Sequence, residues 1–456
     1  MADPRIRRPL HAVLLAAALV LSACSSDAGG DDGDGATSEA AGQTEATVEG
    51  TDPLPPLPDD VALPIVFVHG FAGSAQQLES NAMRFVANGY PADRIVAYDH
   101  DGAGLDIPGY AAGLTEVVDE TLAEFDVDQV YVIGHSRGTA VGNLFLSDPV
   151  QAAKVAKYVA IDGRPCPEPQ PVPCIAPNQA QFPGQTHVEV ATSKESFAAQ
   201  YEFLVGEAPE VVDIVPQREP VEISGRAVNF PANTGRDATL DIWAIDPATG
   251  ARTGDEPHAS VELGPDGEFG PVELENGAHY EYALSAEASP VVHHLYLQPY
   301  VRSSAFVRLL SSEPDGTIRQ NTNISDDHTA LVISRMREWH SEGDADVLEL
   351  SVDDGEPVDV ITDFVGNGAI GLHVHDDVAT PGESTSAKLP FFGEQPFQSG
   401  IDVFLPASPD ADGTLTARNL PRGDAGRPQT LNVPNWPSSG HTVSLVFADW
   451  AVDGAT

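Results

Sequence analysis

Cysteine is scarce: three occur in 456 residues, which excludes a disulfide-dense scaffold and a Cys-rich zinc module. Cations are scarce too. Against 69 Asp and Glu stand 23 Lys and Arg, for a formal charge of −46. A nucleic-acid binder draws its affinity from the residues that are missing here, so no nucleic-acid partner is expected. The apolar run Ala12–Leu21 has ten residues, where a spanning helix needs about 20. What is plentiful points to folded domains. With 41% hydrophobic and 20% charged residues the composition is ordinary for globular protein, and 41 Gly with 38 Pro favour turns and short strands. The length suits two or three domains of roughly 150 residues.

The N-terminus reads as an export signal. Arg5, Arg7 and Arg8 precede the apolar run, which ends in Leu21-Ser22-Ala23-Cys24. That ending resembles the lipobox of bacterial lipoproteins, which implies removal of residues 1–23, lipid modification of Cys24 and a membrane anchor outside the cytoplasm. Residues 24–60 hold ten acidic and no basic residues and read as a flexible tether.

Chemistry is concentrated in residues 61–213. Leu63–Val68 (LPIVFV) reads as a fully buried strand running into His69-Gly70-Phe71. A second buried strand, Gln129–Ile133, enters Gly134-His135-Ser136-Arg137-Gly138 and then an apolar helix. This is G-x-S-x-G in the strand–turn–helix context of a nucleophile elbow, with Ser136 as nucleophile. A serine needs a histidine to take its proton, and that histidine needs an acid to fix its tautomer. Asp162 follows the strand candidate Lys157–Ile161, and His187 lies in a loop before a helix whose capping box is Thr192 with Glu195. The order Ser136, Asp162, His187 is that of α/β-hydrolases. Other residues compete for these roles. His69 and His135 lie inside the two loop motifs and are read as shaping them, while His100 and Asp99 precede the nucleophile. Asp148 reads as a helix-ending turn. Cys166 and Cys174, an even pair once Cys24 is lipidated, flank a Pro-rich loop and are expected to form a disulfide.

The stretches from His69 through Gly89, the elbow, Lys157–Gly163 and Thr186–Gln217 resemble an α/β-hydrolase lipase family that includes archaeal lipases with a β-rich C-terminal domain. The resemblance covers the hydrolase domain and continues weakly beyond it, as in Pro299-Tyr300-Val301-Arg302. It implies Ser136 as nucleophile, Asp162 as acid and His187 as base. It also implies an oxyanion hole from the backbone N–H groups of Phe71 and Arg137, with His69, Gly70, Gly134, His135 and Gly138 in support. This sequence departs from the family twice. Asp99–Gly113 is a short Gly-rich loop where larger members insert a lid, with the next helix expected near Leu114. Arg137 also stands where an apolar or amide side chain is frequent.

Beyond residue 213 the pattern changes to short alternating runs such as Val221–Val228, Thr239–Ile245 and Tyr280–Leu284. These predict a sandwich-like domain over 214–300. After an interruption near Ala305–Leu310, a second β-rich domain is expected over 301–456, from Val347–Val352, Ala369–His375, Ile401–Leu405 and Thr442–Ala448. Neighbouring His373, His375, Asp376 and Asp377, the pair His293-His294, and Asp410–Gly413 are read as solvated faces and turns, so no metal or other cofactor is expected. The expected fold is thus an α/β hydrolase, with a mostly parallel doubly wound sheet and no large lid, followed by a β-rich sandwich or barrel. The expected activity is cleavage of carboxylic esters of short to medium acyl chain. Two alternatives stay open: a surface-anchored binding lipoprotein with an idle hydrolase fold, or the same triad acting on a polyester, thioester or cell-wall lipid.

Overall fold

A computed structural model describes residues 50–451 apart from 52, 53, 219, 288, 314, 344, 366 and 367. The export signal, Cys24 and most of the tether lie outside the described residues. Five strands form the first sheet: β1 (Ile65–Val68), β2 (Ile95–Tyr98), β3 (Val130–His135), β4 (Val155–Ile161) and β5 (Cys174–Ile175). Their order is β2-β1-β3-β4-β5 and every neighbouring pair is parallel. β1 and β3 are buried at every position, because helices cover both faces. Alternation sorts their side chains: Phe67, Tyr131 and Ile133 pack on one face with Phe85 and Phe197. Val66, Val130 and Val132 pack on the other with Leu114 and Val141. The covering helices are α1 (Glu79–Ala87), α2 (Ile107–Phe125), α3 (Arg137–Leu146), α4 (Pro149–Ala152), α5 (Glu189–Thr192) and α6 (Lys194–Val205). None of the helices among the described residues is long and apolar enough to cross a membrane.

Two local expectations shift. α2 begins at Ile107 rather than near Leu114, because the Asp106 carboxylate accepts the Gly109 N–H at 3.1 Å and caps the helix early. The β2–α2 connection is therefore only residues 99–106, shorter than the sequence suggested. α6 is capped by Ser193, which accepts the Ser196 N–H, and not by Thr192 one residue earlier. Phe197, Tyr201 and Leu204 form its buried face.

The rest of the described chain is strand-rich. β6 (Val221–Asn229) lies between β10 (Glu268–Leu274) and β13 (Ser304–Ser311), with the short β7 (Thr234–Gly235) attached. A sheet of eight follows the order β18-β17-β14-β21-β12-β11-β8-β9. Its members are β8 (Thr239–Ala244), β9 (Ala259–Glu262), β11 (Tyr280–Ala286), β12 (Ser289–Leu297), β14 (Leu331–Arg335), β17 (Gly371–His375), β18 (Gln398–Asp402) and β21 (His441–Phe447). A last sheet runs β16 (Val358–Asp359), β15 (Val347–Val352), β19 (Thr414–Leu420) and β20 (Gln429–Pro434). A one-turn helix, α7 (Thr317–Gln320), follows β13. The long sheet is shared by two sandwiches. At one end Ile333, Leu372 and Leu445 meet Leu348, Leu415 and Val433 of the last sheet. At the other end Leu240, Tyr282 and Leu295 meet Ile223, Val307 and Phe269.

Strand pairing crosses the boundary expected at residue 300. β12 pairs in parallel with β21, and β13 with β6. The expected interruption at Ala305–Leu310 lies within β13, whose run of Phe306, Val307 and Leu309 is buried.

Candidate functional site

The elbow sits at the C-terminal end of β3, where a parallel sheet exposes its functional groups. Ser136 turns the chain from β3 into α3 with φ +53° and ψ −117°, a conformation that costs free energy and persists only where packing enforces it. The flanking glycines explain how. A Cβ on Gly138 would lie 2.2 Å from the Val68 carbonyl oxygen, and one on Gly134 would lie 2.9 Å from the Gly138 oxygen.

The structure brings three of the expected residues together. His187 Nε2 lies 2.8 Å from Ser136 Oγ, and His187 Nδ1 lies 2.6 Å from Asp162 Oδ2. With Asp162 ionised, Nδ1–H donates to it, and Nε2 is left to accept from the serine. Asp162 closes β4, its own φ at +38°. Gln179 donates to it twice, from its backbone N–H to Oδ1 at 3.2 Å and from Nε2 to Oδ2 at 2.9 Å. Partial burial alone would raise the Asp162 pKa, but the hydrogen bonds from His187 and Gln179 outweigh it and hold the carboxyl below its ordinary value. Cys166 and Cys174 form a disulfide, and β5, which starts at Cys174, pairs with β4.

The other histidines are placed as scaffolding. His135 is buried and its Nε2 lies 3.0 Å from the His187 carbonyl oxygen, while Nδ1 lies 2.9 Å from Gln77 Oε1. Burial lowers its pKa to about 3, so the ring is neutral. His69 and His100 stack with centroids 3.9 Å apart and tie the loop after β1 to the loop after β2. Their contacts are His69 Nε2 to the His100 carbonyl at 3.1 Å and His100 Nε2 to the His69 carbonyl at 3.2 Å. Arg137 is the first residue of α3, where backbone amides have no partner in a preceding turn. Arg137 follows Ser136 directly, Phe71 follows Gly70, on which a Cβ would lie 2.9 Å from Ser136 Cβ, and the φ of +51° at Ala72 turns the chain immediately after Phe71.

The Arg137 guanidinium does not face open space. Nη2 donates to the Asp101 carbonyl at 2.7 Å and to His100 Nδ1 at 3.0 Å, Nη1 donates to the Gly104 carbonyl, and the group lies over the Phe71 and Tyr110 rings. It pins the short 99–106 connection. Asp99 holds the two halves together instead of serving His187. Its carboxylate accepts from Ala75 N at 2.8 Å, Arg308 Nε at 2.8 Å and Arg226 Nη1 at 3.2 Å. Burial would raise its pKa, yet Arg308 and the surrounding donors keep it ionised below the usual range. Asp148 caps α4, accepting the Val150 N–H at 2.8 Å.

Sequence reasoning missed the residues that hold the His187 loop from the β-rich half. Buried Glu338 accepts the Val188 N–H at 2.6 Å, the Glu189 N–H at 3.3 Å and the Thr186 hydroxyl. Glu189 is gripped by Arg337 at 3.0 Å and Arg422 at 2.8 Å, and Arg422 continues to Asp346, which pairs with buried Arg335. Phe397, with φ +59°, places its ring parallel to His187 at 6.4 Å between centroids. None of these residues carries a local motif. The only hint in the sequence was an excess of Arg in an otherwise cation-poor chain around 335–337.

Comparison with known proteins agrees with this architecture. Residues 64–190 match the family model of the alpha/beta hydrolase fold, residues 219–314 the Lipase C-terminal domain, and residues 317–451 a further C-terminal domain. The chain carries an α/β hydrolase domain followed by a lipase-type C-terminal domain and a second C-terminal domain. No curated protein matches it. Among solved structures it is similar to epoxide hydrolase A from Mycobacterium thermoresistibile, at 22% identity over 23% of this chain and 33% of that one, with a TM-score of 0.20. It is also similar to naproxen esterase (carboxylesterase NP) from Bacillus subtilis, at 21% identity over 26% and 39%, with a TM-score of 0.19. The chain spans well under half the length of these structures.

Phe71, Ala72 and Ala103 of the hydrolase half and residues of the β-rich half border a cavity of 330 Å³. The sequence placed His373 and His293 on solvated faces; they are buried. Among the described residues there is no group of three or more His, Cys, Asp or Glu side chains arranged to hold a metal ion.

Proposed function

We propose that the protein is an exported serine ester hydrolase of the lipase and carboxylesterase type, cleaving uncharged esters of short to medium acyl chain. The observation that carries this reading is the continuous hydrogen-bond chain from Ser136 Oγ through His187 to Asp162, at 2.8 and 2.6 Å. In this mechanism His187 Nε2 takes the Ser136 proton as Oγ attacks the ester carbonyl. Asp162 stabilises the imidazolium, and the Phe71 and Arg137 amides receive the oxyanion. His187 then returns the proton to the departing alcohol. Water, activated by the same nitrogen, releases the acid from Ser136. The brief 99–106 connection offers no segment long enough to act as a lid, which supports soluble esters over the surface of an oil droplet as substrate. Export and lipid anchoring at Cys24 are part of the proposal and rest on the N-terminal sequence alone.

Labelling with a fluorophosphonate probe tests the reaction class. An adduct mapped to Ser136, with turnover of p-nitrophenyl esters from C2 to C16 that does not wait for substrate aggregation, is the expected result. Folded protein that takes no label at Ser136 would return the β-rich binding lipoprotein to the front.

A further inference from the structure

Acid and base lie on one excursion of the chain. β4 ends just before Asp162, and the chain runs out through the Pro-rich loop closed by Cys166 and Cys174. It then returns along β5 and passes Asp162 a second time before it reaches His187. Three hydrogen bonds tie this return. The Asp162 N–H donates to the Pro177 carbonyl at 2.8 Å, and Gln179 donates to the Asp162 carboxylate from its backbone N–H and from its Nε2. A local turn presents Gln179 to the acid. Asn178 Nδ2 donates to the Ala176 carbonyl at 2.9 Å, and Asn178 Oδ1 accepts the Ala180 N–H at 3.0 Å.

These bonds divide the carboxylate between two partners. Oδ2 receives His187 Nδ1–H at 2.6 Å and Gln179 Nε2–H at 2.9 Å, while Oδ1 receives the Gln179 N–H at 3.2 Å. The torsion that turns a carboxylate is a broad one, so an untethered Asp162 could present either oxygen to the imidazole, or neither. With both oxygens engaged it keeps one orientation. Asp162 itself sits at φ +38°, a conformation that persists only where the surroundings enforce it. Among the described residues its carboxylate has no partner besides His187 and Gln179. Gln179 is exposed, so its side chain fills no core.

Resting on the ester-hydrolase reading, we propose that Gln179 is a positioning residue for the triad acid. Its Nε2 and backbone N–H hold the Asp162 carboxylate with Oδ2 towards His187 Nδ1, so that the imidazole keeps the tautomer and tilt that receive the Ser136 proton. Gln179 acts through Asp162 and His187 and does not meet the reacting atoms. Loss of its amide nitrogen leaves all three reacting groups in the molecule and loosens their alignment. Acid and base are thus secured separately: the base from the β-rich half through Glu338, the acid from its own loop through Gln179.

Two variants of this exposed side chain test the proposal. Gln179→Met keeps the length and removes the side-chain donor, while Gln179→Glu keeps the shape and sets a second carboxylate against the first. With p-nitrophenyl butyrate, Gln179→Met should lower kcat roughly tenfold at unchanged KM. Gln179→Glu should lower it further at neutral pH, because like charges then face each other. An unchanged kcat in Gln179→Met, a loss carried by KM instead, or a Gln179→Glu variant as active as wild type overturns the proposal. A second readout needs no turnover: the far-downfield proton resonance of the His187 Nδ1–H bonded to Asp162, identified by its loss in Asp162→Asn. It should move or broaden in Gln179→Met as exchange with solvent quickens. An identical resonance in that variant, or none in the wild type, overturns the assignment. Failure of fluorophosphonate labelling would sink the ester reading by itself, while the resonance still reports on the Asp162–His187 pair.

Discussion

The hydrolase half and the β-rich half contribute to one site in opposite ways. In the first, every reacting group stands at the end of a parallel strand or in the loop beyond it, and short motifs place it: Ser136 between glycines, Asp162 at the end of β4. In the second, nothing resembles a motif, yet Glu338, Arg337 and Arg422 reach residues about 150 to 236 positions earlier in the chain. Chemistry here is local in sequence, and the seating of its base is remote.

The sharpest way to break this contrast is to remove the nucleophile. Ser136→Ala should lower kcat by about 10⁶-fold, and His187→Ala by a similar factor. The double variant should lose little more, since the groups act as a unit. Stopped-flow and long-time-course assays with p-nitrophenyl butyrate decide this, and substantial residual turnover in Ser136→Ala would move the reaction elsewhere.

Next in size is the seam between the halves. Glu79 on α1 is buried, and it accepts from Tyr300 at 3.0 Å and Ser304 at 2.8 Å across that seam. Burial raises its pKa to about 7, against the partial relief given by these two hydroxyls. The folded state therefore binds the proton more tightly than the unfolded chain. Stability is highest below the unfolded pKa near 4.5. It should fall, by about 3 kcal/mol at most, as pH rises to about 7. Denaturant titrations at pH 5 and pH 7 should show this drop, and Glu79→Gln should flatten it. If Glu79→Gln keeps the same slope, the seam is not where the proton sits.

The smallest effect tests whether the β-rich half positions the base. Glu338→Ala removes the acceptor for the Val188 and Glu189 amides, and a displaced His187 should cost about 10- to 100-fold in kcat. KM should change little, because Glu338 is buried out of a substrate's reach. Glu338→Gln, which keeps an acceptor oxygen, should recover part of the loss. A variant that loses stability but keeps its kcat would reduce Glu338 to a structural role.

The same contrast explains what could be read from sequence. The order Ser136, Asp162, His187 was legible because a buried strand, a Gly-flanked turn and a helix follow one another within about twenty residues. The parallel sheet was legible because runs such as Val130–Ile133 are apolar without alternation. The sandwich strands were visible as alternating runs, but their partners were not: Phe306–Leu309 reads as an interruption until its pairing with β6 is known. His373 reads as a solvated ring because period-two alternation cannot say that the second face of a sheet is also covered. Helix starts slipped where a side-chain cap intervened, at Asp106 and Ser193.

The grip of Glu338 and Arg422 on the His187 loop has a temporal consequence. A nascent chain that has emerged only as far as α6 already contains Ser136, Asp162 and His187, but none of the carboxylate and guanidinium contacts that seat the loop. β21, which joins β12 to β14, follows every other strand among the described residues. The seating of the His187 loop thus waits on segments translated well after the three residues it would align.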